Sequence, residues 1–159
     1  MIFVTVGTQL PFDRLVAAVD TWAGAGAGRE VFAQIGPTAL RPRSIASRPF
    51  IDPAECRARM EAADLIVAHA GMGTILGALE LGRPIVVMPR IAALGEHRNE
   101  HQLATAGRLG ELGRVHVAAD EHALPAILDE LAGARRAGER ISPYASDQLI
   151  GTLRSFIAA

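Results

Sequence analysis

Residues 64–80 read DLIVAHAGMGTILGALE, and the other segments take their places around them. Asp64 closes a helical run, and Leu65-Ile66-Val67-Ala68 is a short apolar burst of strand length and partly β-branched character. His69-Ala70-Gly71-Met72-Gly73-Thr74 is a Gly-rich turn, after which Ile75, Leu76 and Leu79 fall at helical spacing. A buried strand that feeds such a turn into a helix can hold an anion. The free N–H groups of the first helical turn point outward, and the helix dipole favours negative charge there. Gly71 and Gly73 lack a Cβ, so a phosphate can approach the backbone. Thr74 is expected to cap the helix and to offer its hydroxyl to a phosphate oxygen. The plainer alternative is a tight turn that only lets helix pack on strand. Neither GxGxxG nor a P-loop pattern occurs, so the turn alone is no nucleotide fingerprint.

Composition bounds the rest. The chain of 159 residues is expected to form a single domain, residues 1–159, with a proper core. Half of it is hydrophobic but only 4% is aromatic, which suits helices packed tightly on a sheet. A net charge of −1 without a basic run argues against a nucleic-acid partner. The single Cys56 excludes an internal disulfide and suits a reducing compartment. The opening MIFVTVGTQ lacks the basic head and cleavage site of a signal peptide, and no apolar run has the length of a spanning helix. A cytoplasmic protein is expected.

Ile2 to Val6 reads as a buried first strand, followed by the turn Gly7-Thr8-Gln9 and a helix with Leu15, Val16, Val19 and Trp22 on one face. In open α/β sheets, ligands sit outside the carboxyl ends of the strands, so this turn is a second place where backbone can meet a ligand. Gly24, Gly26 and Gly28 mark a loop, and Val31 to Ile35 reads as the second strand. Thr38 to Pro49 has no clear period and reads as a loop, with a short strand at Phe50-Ile51. The helix from Pro53 to Ala63 carries Cys56, which reads as a small core residue. Ile85 to Met88 is a further strand, Arg90 to Gly95 a loop, and Glu96 to Gln102 enters a helix running through Leu109. Val115 to Val117 is a last short strand, and a helix spans Glu121 to Arg136. The tail Ser146 to Ile157 forms a final helix with Leu149, Ile150, Leu153, Phe156 and Ile157 on one stripe. This alternation predicts an α/β, Rossmann-like fold with a mostly parallel sheet and helices on both faces.

The polar cluster at 96–102 supports two readings. His97, Glu100 and His101 match an HxxEH pattern found in some zinc peptidases. A zinc site needs a third protein ligand, and nothing in the sequence singles one out, so no metal is expected. A loop rich in His, Asn and Gln at the carboxyl end of a strand instead suits sugar hydroxyls, since amides pair both donors and acceptors.

Three segments together carry a resemblance: VTVGTQ-PFDRL, EAADLIVAHAGMGTI, and GEHRNEHQLATA after the PIVVMP strand. In unbroken order over about residues 1–120, they resemble the small, donor-binding subunits of two-part glycosyltransferases. These are similar to the C-terminal half of the peptidoglycan GlcNAc transferase, one half of a GT-B fold. The wording MGTI-ALELGRPIVVMPR is most similar to the bacterial exopolysaccharide branch of glucuronosyl- and galactosyltransferase subunits.

The resemblance implies an inverting, metal-independent glycosyltransferase with a UDP-sugar as donor substrate and no cofactor. It assigns Gly7, Thr8, His69, Gly71, Met72, Gly73 and Thr74 to nucleotide and phosphate, and Glu96, Asn99, His101 and Gln102 to the donor sugar. One position departs from the pattern. Gly77 stands where the peptidoglycan enzyme has a ribose-contacting Glu, and Glu80, one turn on, is the candidate substitute. The catalytic base is expected from a membrane-associated, acceptor-binding partner subunit that recruits this chain to the inner face of the cytoplasmic membrane. The acceptor would be lipid-linked, on a polyprenyl diphosphate. A UDP-sugar epimerase-like half-domain and a non-catalytic nucleotide-binding regulatory module are the alternatives. For the apolar stripe of the last helix the ordinary expectation is packing on its own sheet. Docking on the partner is the other, and an isolated chain that exposes such area is expected to be able to form a homodimer.

Overall fold

The computed structural model describes residues 1–26, 28–133, 138, 140–142 and 144–158. Six strands form one sheet: β1 (Ile2–Thr5), β2 (Val31–Gln34), β3 (Ala46–Arg48), β4 (Leu65–His69), β5 (Ile85–Met88) and β6 (His116–Val117). Their order is β3-β2-β1-β4-β5-β6, and every pairing is parallel. β1 lies at the centre, with Ile2 paired to Val31 on one side and to Leu65 on the other. The chain therefore winds outward from β1 to β3, returns to β4 and winds outward again to β6. That reversal opens a crevice at the carboxyl ends of β1 and β4, where doubly wound sheets bind their ligands.

Parallel strands covered on both faces must be apolar throughout. β1, β2 and β5 are buried along their whole length, and β4 is buried from Leu65 to Ala68. Alternate side chains feed two cores. Ile2, Val4, Val67 and Val86 meet α1 (Asp13–Gly24), through Leu15, Val16 and Val19, and α5 (Leu124–Ala132), through Leu124 and Leu128. Phe3, Ile66, Ile85 and Val87 meet α2 (Pro53–Ala62) at Met60, α3 (Met72–Glu80) at Ile75, Ala78 and Leu79, and α4 (His101–Glu111) at Ala106.

Several expected elements move. The short strand lies at Ala46–Arg48 and not at Phe50-Ile51, and Phe50 is half exposed. As an edge strand bonded only to β2, it needs no apolar run. α2 ends at Ala62, and Asp64 does not close it but holds the amino terminus, its Oδ2 2.7 Å from the Met1 nitrogen. The helix expected from Glu96 begins at His101. Before it, a single 3-10 turn (Ala92–Leu94) is held by carboxylates: Glu96 accepts from the Ile91 N–H and Glu100 from the Ala92 N–H. α5 starts at Leu124 because Asp120 first accepts from the His122 and Ala123 N–H groups. The expected continuation of this helix over 134–136 lies outside the described residues.

α6 (Asp147–Ile157) is capped by Ser146, whose Oγ accepts from the Leu149 N–H. It buries no residue; Leu149 and Leu153 are half exposed, and Phe156 and Ile157 about 80% exposed. The expectation that its stripe packs on its own sheet is overturned. No helix of the described residues is long and apolar enough to cross a membrane.

Candidate functional site

A cavity of about 480 Å³ opens at the switch point. Its floor is the β1–α1 loop, one wall the β4–α3 turn, and another the segment from β5 to α4. α3 begins there without a side-chain cap. Gly71 is the N-cap in extended conformation, and Thr74 sits inside the first turn, so the expected Thr74 cap does not form. The N–H groups of Met72, Gly73 and Thr74 precede the first internal bond, from Ile75 to the Gly71 carbonyl. No acceptor among the described residues meets them.

The three glycines of the site differ in what surrounds them. At Gly71 an added Cβ would lie 2.2 Å from His69 Nε2, and at Gly7 it would lie 2.8 Å from His69 Cε1. Gly7 also has a φ of +76°, a conformation that L side chains rarely adopt. Both glycines therefore make room for the imidazole, which is wedged between the β1 loop and the β4 turn. At Gly73 no atom lies within 4 Å of such a Cβ, so its space is the free one.

His69 Nδ1 is buried, and among the described residues no partner lies at full hydrogen-bond geometry. The pKa of this imidazole is lowered from 6.5 to about 4, chiefly by burial and then by the nearby Arg90 charge and, least, by His97, while the Thr5 carbonyl opposes the shift. The ring is thus neutral at pH 7. In the unfolded chain it would titrate near 6.5, so between 6.5 and 4 the unfolded state binds more protons. This group's contribution to stability is intact above pH 6.5 and is lost as pH falls toward 4, on the order of 3 kcal/mol in all. An NMR titration is expected to show the His69 ring still neutral at pH 5, and a His69→Asn variant should lose less stability on acidification.

The β1–α1 loop is held by a buried polar network. Thr5 Oγ1 donates to Gln34 Oε1 at 2.7 Å, and Gln34 Nε2 donates to the Gly7 and Pro49 carbonyls, each at 2.9 Å. Gln102, 7% exposed, accepts with Oε1 from the Ala70 and Arg90 N–H groups, each at 3.2 Å. One buried amide thus ties the β4 turn to the end of β5, and its Nε2 keeps no protein acceptor among the described residues.

Of the residues expected at the site, Gly7, Thr8, His69, Gly71, Gly73, Thr74 and Gln102 come together on the cavity wall. Met72, Glu96, Asn99 and His101 do not line it. The Met72 side chain points into solvent, 46% exposed. Glu96 forms an ion pair with Arg14 at 2.9 Å, which also reaches Glu121 at 2.7 Å. Asn99 Oδ1 accepts from the His101 N–H at 3.2 Å and starts α4. Glu80 ends α3, about 12 Å from its first turn at 1.5 Å per residue, and lies 3.6 Å from Arg57. Glu80 does not line the cavity. Gly77 is small because Met60 Cε would lie 3.2 Å from a Cβ there. The HxxEH residues do not share a helical face, because His97 and Glu100 precede α4. Among the described residues no group of three His, Cys, Asp or Glu is placed to hold a metal.

Sequence reasoning missed Gln34, Arg90 and His97, which also line the cavity. Arg90 carried a usable signal: a cation that directly follows Pro89 at the end of a wholly buried strand.

Comparison with known proteins agrees with this architecture. The human UDP-N-acetylglucosamine transferase subunit ALG13 is 31% identical over 125 residues, 72% of this chain. The chain spans 10% of the length of the curated relatives it matches, the human and mouse proteins. Among solved structures, ALG13 in solution superposes with a TM-score of 0.59 at 21% identity, covering 96% of this chain and 93% of that one. The glycotransferase of kitacinnamycin gives 0.61 at 24% identity, covering 99% of this chain and 39% of that one. The fold is thus a Rossmann-like α/β domain of the kind found in GT-B glycosyltransferases. A family model described as the glycosyltransferase family 28 C-terminal domain matches residues 1–141, and the chain belongs to that family.

Proposed function

We propose that this cavity binds a UDP-sugar and that the chain is the donor-binding half of an inverting, metal-independent glycosyltransferase. The observation that carries this reading is the start of α3 at the β1/β4 switch point: three N–H groups without an acceptor among the described residues open the helix, and Gly73, with open space around it, and Thr74 line the cavity. The diphosphate would sit on those N–H groups, where the helix dipole stabilises negative charge. As the acceptor hydroxyl attacks the anomeric carbon, the bond to the diphosphate breaks and negative charge grows on the leaving oxygen. Fixed donors at that position lower the barrier without a metal. Neutral His69 can donate a hydrogen bond, and the buried Arg90 charge favours the anion.

The sugar would lie toward Gln102 and His97. Glu96, Asn99 and His101 then act through the shape of their loop rather than by contact. The base that takes the acceptor proton would come from a membrane-associated partner subunit, and the acceptor would be a polyprenyl-diphosphate-linked glycan. We place the reaction in bacterial exopolysaccharide synthesis, at the inner face of the cytoplasmic membrane, with no cofactor. The test is calorimetry with UDP, UMP and uridine. UDP should bind at least tenfold more tightly than UMP, because the second phosphate meets the α3 N–H groups. Equal affinity for UDP and UMP would contradict the diphosphate role.

A further inference from the structure

Arg90 is 3% exposed, and among the described residues no carboxylate accepts from its guanidinium. Its Nη1 donates to the Pro11 carbonyl at 2.6 Å and the Glu96 carbonyl at 3.1 Å, and its Nη2 to the Val6 carbonyl at 2.8 Å and the Leu10 carbonyl at 2.7 Å. The Phe12 ring lies against the same group, 4.7 Å from centroid to guanidinium carbon. Four of the five N–H donors of an arginine are thus spent on main-chain oxygens. Three of these oxygens belong to the β1–α1 loop, which has no regular structure between Val6 and Phe12. The fourth belongs to the segment that carries His97 onto the cavity wall.

We propose that Arg90 is the positioning residue that fixes the distance between the two loops flanking the donor cavity and places a fixed positive charge between them. The planar fork reaches carbonyls on both sides at once, which a single ammonium centre on a shorter reach of donors does not reproduce. The backbone of Arg90 is held in turn, since its N–H donates to Gln102, which also takes the Ala70 N–H. Loop floor, β4 turn and β5–α4 segment therefore meet at one residue. Glu96 supports the arrangement from behind by its pair with Arg14. The proposal about loop geometry stands on these contacts, and its consequence for nucleotide affinity rests on the donor-binding reading above.

The test uses Arg90→Lys and Arg90→Ala, with amide hydrogen exchange and UDP calorimetry on each. Arg90→Lys should exchange faster at residues 7–12 and 95–97 than the wild type, with the strand amides unchanged, and should bind UDP at least tenfold more weakly. Arg90→Ala should lose more affinity, and millimolar guanidinium should restore both affinity and loop protection by refilling the vacated space. Unchanged exchange in both loops of Arg90→Lys would overturn the proposal, and so would a loss in Arg90→Ala that guanidinium does not repair. If wild-type protein fails to bind UDP, the donor reading fails, while the exchange pattern and its rescue still decide the role of Arg90.

Discussion

Replacing Gly73 with valine is expected to weaken UDP binding about 100-fold or more, roughly 2.7 kcal/mol, with little change in melting temperature. Both halves of that expectation come from the same observation. No protein atom lies within 4 Å of a Cβ built at Gly73, so the new side chain meets no clash in the fold. Glycine and valine are both weak helix formers, and the exchange within a first turn shifts stability by only about 0.5 kcal/mol. The isopropyl group would then stand in the space in front of the α3 N–H groups and keep a phosphate from reaching them. Calorimetry and a thermal melt on the same sample separate the two effects. The corresponding change at Gly71 is a poor probe, because it strikes the His69 ring and would disturb the turn itself.

The second large effect concerns transfer. The isolated chain, supplied with UDP-sugar and lipid-linked acceptor, is expected to form product no faster than the uncatalysed background. Adding an acceptor-binding partner should restore turnover to about 1 per second or more, the ordinary range for an enzyme. The chain matches only 39% of the length of the kitacinnamycin glycotransferase, and its described residues hold one sheet with one cavity at the switch point. On the proposed function the base would stand on the partner half. Loss of the acceptor proton needs a group within hydrogen-bond reach of the attacking hydroxyl. His69, the ionisable side chain closest to α3's start, is wedged between Gly7 and Gly71 on the donor side. Product formed at an enzymatic rate by the purified chain alone would refute the two-part mechanism.

The fold was legible because its signals are local. Buried parallel strands need continuous apolar runs, and Ile2–Thr5, Val31–Gln34, Leu65–Ala68 and Ile85–Met88 supply them. β3 escaped because an edge strand pairs on one side only and tolerates Ser47 and Arg48. The start of α4 escaped because Glu96, Glu100 and Asn99 spend their side chains on nearby N–H groups or on Arg14, which competes with helix formation.

At the site, the Gly-rich turn pointed to the right place but not to the division of labour within it. Gly71 and Gly73 look alike in sequence; only packing shows that one accommodates an imidazole and the other leaves space open. Arg90 showed in its place after Pro89 but not in its role. Its four acceptors are main-chain carbonyls, which every residue possesses, so no pattern of side chains announces them. Gln102 stood out as a polar residue in a helix start, yet the sequence does not show that its oxygen accepts from the backbone at the ends of two strands. The stripe on α6 had the right amphipathic period, but period alone does not say whether the face meets its own core.

On the proposed function a nucleoside diphosphate sits on the start of α3 at the β1/β4 switch point. An amide-resolved NMR titration of the 159-residue chain with UDP tests it most directly. Saturable shifts are expected at Gly7, Thr8, Met72, Gly73 and Thr74, absent in Gly73→Val. No saturable shift at these amides, or shifts confined to α1 and α5, would contradict that placement.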